Sequence, residues 1–472
     1  MASPSPSTEK HIQGHHEEQI ERLATYDRSF PASNITEAHR NYLIERHGTF
    51  QLDPVPDFTD ADPLNWSLPK VSRCKKGCYS ADKTQKTINI LLVAFYAMMA
   101  TFAAASIQSA CENIAENLNV SLQQTTYLTS LFIAILGGAP LFWQPISKRY
   151  GRRPVFLVSL VISAVGNIGC AKSPSYATMA VCRAITAFFI SPAAAIGSGV
   201  VKEVFFKRDR ARYMGIWTLM VTIGVPAAPF IFGFLAQRVT YRWIYWTLAI
   251  TNAVQFVLYL FLGHESRYMR GGDEATKAHG LFLFRRIDSS KITAYEFIRP
   301  FRFFGKLCVV LPAFAYSIVF LFTSVMITVE IPQLFGEKFH FNTQQLGLQF
   351  LGTIIGSIIG EQIGGAASDY WMNRRAKRGV HPQPEYRLWL SYLGYGLSIC
   401  GVVVFLVQIE NAPALHWNVS PIIGAGIAAA GNQIVTTVLI TYTIDCYIED
   451  AASVGVFITF VRQILGFIGP FW

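Results

Sequence analysis

Charged side chains stand inside three long apolar stretches of this sequence, where charges are rare. Glu361 is the only carboxylate well inside such a stretch, and Arg183 and Arg462 lie in two others. Burial away from water disfavours the charged form of a carboxylate, so Glu361 is a candidate proton carrier; the alternative is a structural partner for an arginine. Both arginines are expected to serve proton coupling or transport, although a long side chain can also reach the membrane surface. For Arg183 the expected partner is Glu361 or an uncharged dipole such as Gln108.

Further polar residues in these stretches predict a wet cavity that a substrate could enter. Three of them belong to a polar stripe in one stretch, and another stands next to Glu361. The predicted lining residues are Gln108, Gln362, Asn432, Gln433 and Thr436.

The elements that must position these residues are membrane-spanning helices. Of 472 residues, 51% are hydrophobic and 15% are charged, which is too apolar for a soluble fold of this length. The apolar residues gather into blocks of about 20, the length that a helix needs to cross a bilayer. About eleven spans are predicted, near residues 88–110, 127–146, 155–171, 176–200, 214–235, 243–262, 307–329, 346–367, 388–407, 419–444 and 454–472. The predicted fold class is an all-α membrane protein.

Loop lengths divide the predicted spans into two groups. Residues 1–85 are polar and aperiodic and are predicted to be a disordered cytoplasmic tail. Residues 86–263 hold six spans as an N-terminal bundle, and residues 264–306 form a basic cytoplasmic central loop. Residues 307–472 hold the C-terminal bundle, which is predicted to be truncated because the chain ends inside or just after its fifth span.

The short loops predict the orientation of the spans. Lys and Arg are concentrated after the second, fourth and eighth spans, and such loops accumulate on the cytoplasmic side of a membrane. The N-terminus is therefore predicted to be cytoplasmic. The sequons at Asn119 and Asn418 then lie outside and are predicted glycosylation sites.

Several other function classes are disfavoured. The net charge of +10 is spread over short loops rather than gathered on one face, so no nucleic-acid partner is expected. The spacing of Cys74 and Cys78 is poor for zinc and no histidine lies in a predicted span, so neither a metal nor another cofactor is predicted. The sequence lacks the phosphate-binding pattern of ATP-driven pumps. An enzyme is not expected; the expected partners are a small-molecule substrate, protons and the lipid bilayer.

Two local motifs resemble those of a known family. Segment 144–153 (QPISKRYGRR) resembles the signature between the second and third spans of the major facilitator superfamily. Its Gly-Arg-Arg end is intact, but Gln144 stands where the family usually has glycine and Lys148 where it usually has an acid. Segment 365–369 (GAASD) repeats the pattern after the eighth span and keeps the acid. By this resemblance, gating roles are expected for Arg149, Gly151, Arg152, Arg153, Gly365 and Asp369. The alternative for these residues is a topology anchor combined with a tight turn.

The fifth predicted span resembles the proline-glycine motif of drug:proton antiporters in this superfamily. Pro226 and Pro229 are kept and Gly233 closes the motif, which predicts a hinge unless the motif serves only close packing. Glycines at steps of four along the eighth span predict close helix packing. Segment 62–66 (DPLNW) resembles one that precedes the first span in fungal members of this branch.

Taken together, the resemblance implies two pseudo-symmetric halves, with a twelfth span of complete members missing here. It further implies a fungal secondary transporter of the plasma membrane that exports amphipathic small molecules in exchange for protons. An uptake carrier for a nutrient is the alternative within transport. A non-transporting membrane sensor or partner protein is the alternative from another class.

Overall fold

The computed structural model describes residues 36–47, 55–57, 62–66, 81–268, 287, 293–376, 384–413, 415–447 and 450–471. Within these residues the regular structure is helical, with no strand.

Eleven long helices, which we label α1 to α11, make up most of the described chain. Their bounds are Ala81–Ala105 (α1), Leu122–Tyr150 (α2), Arg152–Lys172 (α3), Tyr176–Val204 (α4), Lys207–Arg238 (α5), Arg242–Leu262 (α6), Leu307–Phe339 (α7), Thr343–Met372 (α8), Leu388–Asn411 (α9), Ser420–Cys446 (α10) and Ala451–Ile468 (α11). Ten helical regions are long and apolar enough to cross a membrane, and α11 is a shorter apolar helix. Each predicted span falls on one of these helices, so the predicted all-α membrane fold is confirmed.

Several helices extend beyond their predicted spans, and the longest extension at one end is that of α7. Its predicted span ended at residue 329, whereas α7 continues to Phe339 and contains the half-buried Glu330. Glu361 is therefore not the only carboxylate inside a spanning helix. The span was predicted from apolar side chains, and the last three turns of α7 contain polar ones. The helix continues there because its backbone hydrogen bonds are internal and do not depend on side-chain polarity.

The helix ends define two faces of the molecule. We call the side where α2, α4 and α8 end the basic face, and the side where they begin the far face. At the far face, each of these three helices starts with a capping box, whose N-cap side chain accepts the backbone N–H three residues on. The N-cap residues are Ser121, Ser175 and Asn342. These caps satisfy backbone donors that would otherwise be left unpaired.

Two helices are interrupted by π-helical turns in their middle. The segment Leu321–Met326 interrupts α7, and Gln362–Ala367 interrupts α8 directly after Glu361. Single π-turns occur frequently at functional sites, since the extra residue changes the direction of the side chains that follow.

Close approach of small residues holds the helices together. The predicted packing role of the α8 glycines is supported, because Gly356 and Gly360 lie against the backbone of Gly426 and Ala430 in α10. The two largest contacts between the first six helices and the last five are those of α2 with α11 and of α5 with α8. At the second contact, a Cβ built on Gly233 would lie only 2.9 Å from the Cα of Gly347.

Three described parts of the predicted tail carry regular structure, and one of them, residues 81–85, is the start of α1. Glu37–His47 forms an α-helix within its own unit of residues 1–59. Residues 62–66 belong with the membrane part, where Lys86 donates to the carbonyl of Leu64 at 2.8 Å and Trp66 packs on His264. Residues 1–35, 48–54, 58–61 and 67–80 of the predicted tail lie outside the described residues, and the predicted domain boundaries stay predictions.

Candidate functional site

A small cavity lies between the first six helices and the last five. Helices α1, α2 and α5 line one side, and α7, α10 and α11 line the other. Its volume is about 50 Å³, which is far below the size of a pocket for a drug-like molecule. The described conformation is therefore closed around its centre. The polar lining residues are Thr101, Gln108, Thr129, Thr222, Tyr316, Ser324, Thr328, Asn432, Arg462 and Gln463.

Smaller pockets extend this central cavity in both directions. A pocket of about 20 Å³ towards the far face shares Gln108 with it and also contains Glu112. A pocket of about 30 Å³ towards the basic face shares Tyr316 and Arg462 with it and also contains Thr436. The three cavities mark a narrow, interrupted path between the two groups of helices.

The structure places most of the predicted cavity residues along this path. Gln108 and Asn432 line the central cavity, and Thr436 lines the pocket towards the basic face. Gln433 is fully buried and bonds to Glu361. Gln362 is exposed and is not among the lining residues. One step along a helix turns a side chain by about 100°, so Gln362 points away from the side on which Glu361 lies.

Arg462 is the cation of the central cavity. Its Nη1 donates to the hydroxyl of Tyr316 at 2.9 Å, and its guanidinium lies 4.8 Å from the ring centre of Phe320. The side chain is 9% exposed, and its Nε has no partner among the described residues. No carboxylate of the described residues forms an ion pair with it.

Glu361 occupies a separate polar site, where α8 and α10 meet α5. Its Oε2 accepts hydrogen bonds from Nε2 of Gln433 at 2.6 Å and from Oγ1 of Thr437 at 2.8 Å. Its Oε1 faces α5, since a Cβ built on Gly215 would lie 2.8 Å from it. The side chain is 6% exposed, and no arginine or lysine of the described residues pairs with it. A buried carboxylate with neutral donors on one oxygen, and with the other oxygen beside the glycines Gly215 and Gly365, can exchange a proton.

Arg183 and Glu361 are not brought together. The guanidinium of Arg183 donates to the carbonyl oxygens of Leu128 and Ala104 at 3.3 Å each and to the hydroxyl of Tyr245 at 3.4 Å. These groups belong to α2, α1 and α6, so Arg183 joins four helices of the N-terminal part. The alternative of an uncharged partner is the observed one, but the dipoles are carbonyls and a tyrosine rather than Gln108.

At the basic face, the Gly-Arg-Arg motif wraps the half-buried carboxylate of Glu265. Glu265 accepts the backbone N–H groups of Arg152 and Arg153, both at 2.9 Å, which caps the start of α3. Gly151 has φ +91°, a conformation that favours glycine, and a Cβ there would collide with the Glu265 carboxylate. Burial raises the pKa of Glu265 above its ordinary value, and the backbone N–H groups of Arg152, Arg267 and Arg153 act against this rise.

The side chain of Arg152 extends the same network to α4. Its Nη2 forms an ion pair with Glu203 at 2.8 Å, and its Nη1 donates to the carbonyl of Ile196 at 2.6 Å. Gln144, on α2, donates to Ser453 of α11 at 3.2 Å and so links the two groups of helices. Arg149 is buried with its Nε unpartnered among the described residues.

The repeated motif of the second half is described only in part. Gly365 lies in the π-helical turn, with Glu361 Oε1 3.3 Å from a Cβ built on it. Asp369 is helical, but its side chain lies outside the described residues. Pro226 and Pro229 lie inside α5, and the carbonyl of Pro229 approaches Gly347 of α8. Asn119 and Asn418 are both exposed at the far face.

Sequence reasoning missed the two carboxylates of the basic-face network. Glu203 lies in the last turn of α4 and Glu265 in the connector after α6, where a single acid among many basic residues attracts no notice. One feature of the sequence indicates that such an acid is needed: α3 begins at Arg152 without a local capping side chain, so its first N–H groups require an acceptor from elsewhere.

A sequence model of the Major Facilitator Superfamily matches residues 90–470. An uncharacterized transporter of Schizosaccharomyces pombe is 24% identical over 86% of this chain and 84% of its own length. The efflux pump vrtL of Penicillium aethiopicum is 26% identical over 92% of this chain and 88% of its own. A "probable drug/proton antiporter" of Saccharomyces cerevisiae is 26% identical over 80% of this chain and 75% of its own.

Proposed function

Since this chain belongs to the Major Facilitator Superfamily, as a transporter of its fungal drug-efflux-like branch, we propose that it exports amphipathic small molecules in exchange for protons. It is a multi-pass membrane protein with a small-molecule substrate, and not an enzyme. The observation that carries the proposal of proton coupling is the position of Glu361, a buried carboxylate at the contact between α8, α10 and α5.

The chemistry of this site supports proton exchange coupled to movement. In the charged form, the carboxylate is held by Gln433 and Thr437. In the protonated form Oε2 can keep both bonds, while Oε1, which faces α5, becomes a donor that needs an acceptor. The π-helical turn that follows Glu361 gives α8 a second way to arrange its backbone there. Protonation thereby changes the contact between α8 and α5, on which relative movement of the two halves depends.

Opening and closing of the path is assigned to two regions. At the basic face, the network around Glu265 and Arg152 fixes the ends of α3 and α4, and the Gln144–Ser453 bond closes the two halves on each other. Towards the far face, α5 and α8 touch through Gly233 and Gly347. We propose that these two regions open in turn, as alternating access requires.

The proposed orientation places the basic face in the cytoplasm and the protein in the plasma membrane. The arginine-rich helix ends support this orientation, because such charges are retained on the cytoplasmic side. Asn119 and Asn418 would then carry glycans on the outside, where both side chains are exposed. Outward export would use the inward proton gradient.

Transport by the purified full chain in lipid vesicles tests the proposal. Cationic, neutral and anionic amphipathic fluorescent dyes are offered separately, with a pH gradient of either sign and with the gradient collapsed by a proton ionophore. We expect at least one dye to accumulate against its gradient on the acidic side, and to lose this accumulation with the ionophore. Dye binding without flux under any gradient would instead support the sensor alternative.

A further inference from the structure

The central cavity carries one charge, and that charge is positive. Among its nineteen lining residues, Arg462 is the only ionisable side chain that is charged at neutral pH. The same residue is the only charged one in the pocket towards the basic face. A guanidinium stays protonated in proteins, so this charge cannot be removed by burial.

The partners of Arg462 leave part of its hydrogen-bonding capacity unused. Among the described residues, its one hydrogen bond to a side chain is the 2.9 Å contact with the neutral hydroxyl of Tyr316, and Phe320 contributes only its aromatic ring. Its Nε has no partner among the described residues, although the side chain is more than nine-tenths buried. A buried cation without an anionic partner is costly, and an incoming anion would relieve that cost.

A second buried polar group faces the same cavity. Asn432 is 4% exposed, lines the cavity from α10, and has an amide oxygen without a partner among the described residues. The rest of the wall is largely apolar, from Ile133 and Leu136 on one side to Val325 and Val329 on the other. The cation and the apolar walls fit a molecule with an apolar body and an anionic head, and the amide oxygen of Asn432 can accept a hydrogen bond from a donor elsewhere on that molecule.

We propose that the substrates of this transporter are amphipathic anions, whose carboxylate or similar oxyanion is bound by Arg462. The inference rests on the proposed transport function, because it names the substrate class of that same site. The two residues have different roles in this proposal: the guanidinium of Arg462 binds the anion, and the carboxylate of Glu361 carries the proton. The anion enters when the halves separate, and its charge offsets that of Arg462 when they close again. Cationic amphiphiles are rejected by the same charge.

A binding measurement on the full chain, purified in detergent at pH 7.5, tests the proposal without any pH gradient. The probes are naphthalene-1-acetate and naphthalene-1-acetamide, which share the apolar ring and differ in the charge of the head. A hydrogen bond to a charged group is stronger than one to a neutral group by about 1.4 kcal/mol in free energy, so naphthalene-1-acetate should bind about tenfold tighter than naphthalene-1-acetamide. The readout is the dissociation constant from ligand-induced stabilisation against heating.

Arg462→Gln should abolish this preference, so that acid and amide bind alike, and Arg462→Lys should keep part of it. Arg238→Gln, which removes a cation from an exposed position at the end of α5, should bind the two probes as the wild type does. Equal binding of acid and amide by the wild type, or absence of acid binding, would overturn the proposal even if Arg462→Gln does not fold. So would an unchanged preference in Arg462→Gln. Because no proton gradient is present, a failure here leaves proton-coupled export standing, and a failure of proton coupling leaves this result intact.

Discussion

Replacing Glu361 by Gln should uncouple transport from the pH gradient while leaving the fold intact. An amide oxygen can accept the same two hydrogen bonds from Gln433 and Thr437 that Oε2 accepts now. Loss of the charge weakens these bonds by about 1–2 kcal/mol in total, and a neutral amide is less costly to bury than a carboxylate, so the net change in stability should be small. Expression and membrane insertion should therefore resemble those of the wild type.

The effect on transport should be much larger. A pH difference of about one unit is worth about 1.36 kcal/mol per proton, which supports an approximately tenfold substrate gradient at one proton per substrate. Gln cannot release a proton, so the steady-state accumulation ratio of the variant should fall to about one, with exchange of substrate across the vesicle membrane retained.

The assay is accumulation of a transported dye in vesicles under an imposed pH gradient. Glu337→Gln is the matched control, because Glu337 is exposed in the last turn of α7 and loses the same charge. The reasoning is refuted if Glu361→Gln still concentrates the dye about tenfold, as one proton per substrate would allow.

Three further predictions concern contacts between helices, and Gly138 is the control site for the two glycine substitutions because a Cβ there meets nothing within 4 Å. Arg183→Ala should lower the free energy of unfolding by about 3 kcal/mol, because three hydrogen bonds of the guanidinium are lost. Arg183→Lys should lower it by less, since lysine keeps the charge but cannot contact all three acceptors. Equal melting temperatures for the two variants would contradict this. Gly151→Ala should destabilise by about 1–3 kcal/mol in thermal unfolding through its φ of +91°, whereas Gly138→Ala should not. Gly233→Leu should abolish dye flux by separating α5 from α8 at Gly347, whereas normal flux in it, or lost flux in Gly138→Leu, would argue against this contact.

The spanning helices could be predicted from composition, because the length of an apolar block is set by the thickness of the membrane. The end of α7 could not, since Glu330 and Glu337 lower its apolarity while the backbone remains helical. The position of Gln108 and Asn432 in a cavity could also be predicted from the sequence, because a polar residue in a span usually faces a cavity or another helix.

Partners supplied by the backbone could not be predicted. Arg183 binds the carbonyls of Leu128 and Ala104, which any residue at those positions would offer. The cap on α3 likewise comes from Glu265, more than a hundred positions along the chain. Such contacts depend on how the helices pack; the uncapped start of α3 indicates that its N–H groups need an acceptor, but the sequence does not indicate which residue supplies it.

Export coupled to protons is the central claim, and proton movement driven by substrate tests it most directly. Vesicles with a trapped pH indicator and no initial pH difference are loaded with a transported dye and diluted into dye-free buffer. As dye leaves the vesicles through the wild-type protein, the lumen should become more acidic, because protons move in the opposite direction. No pH change during dye exit, or a more alkaline lumen, would contradict proton exchange.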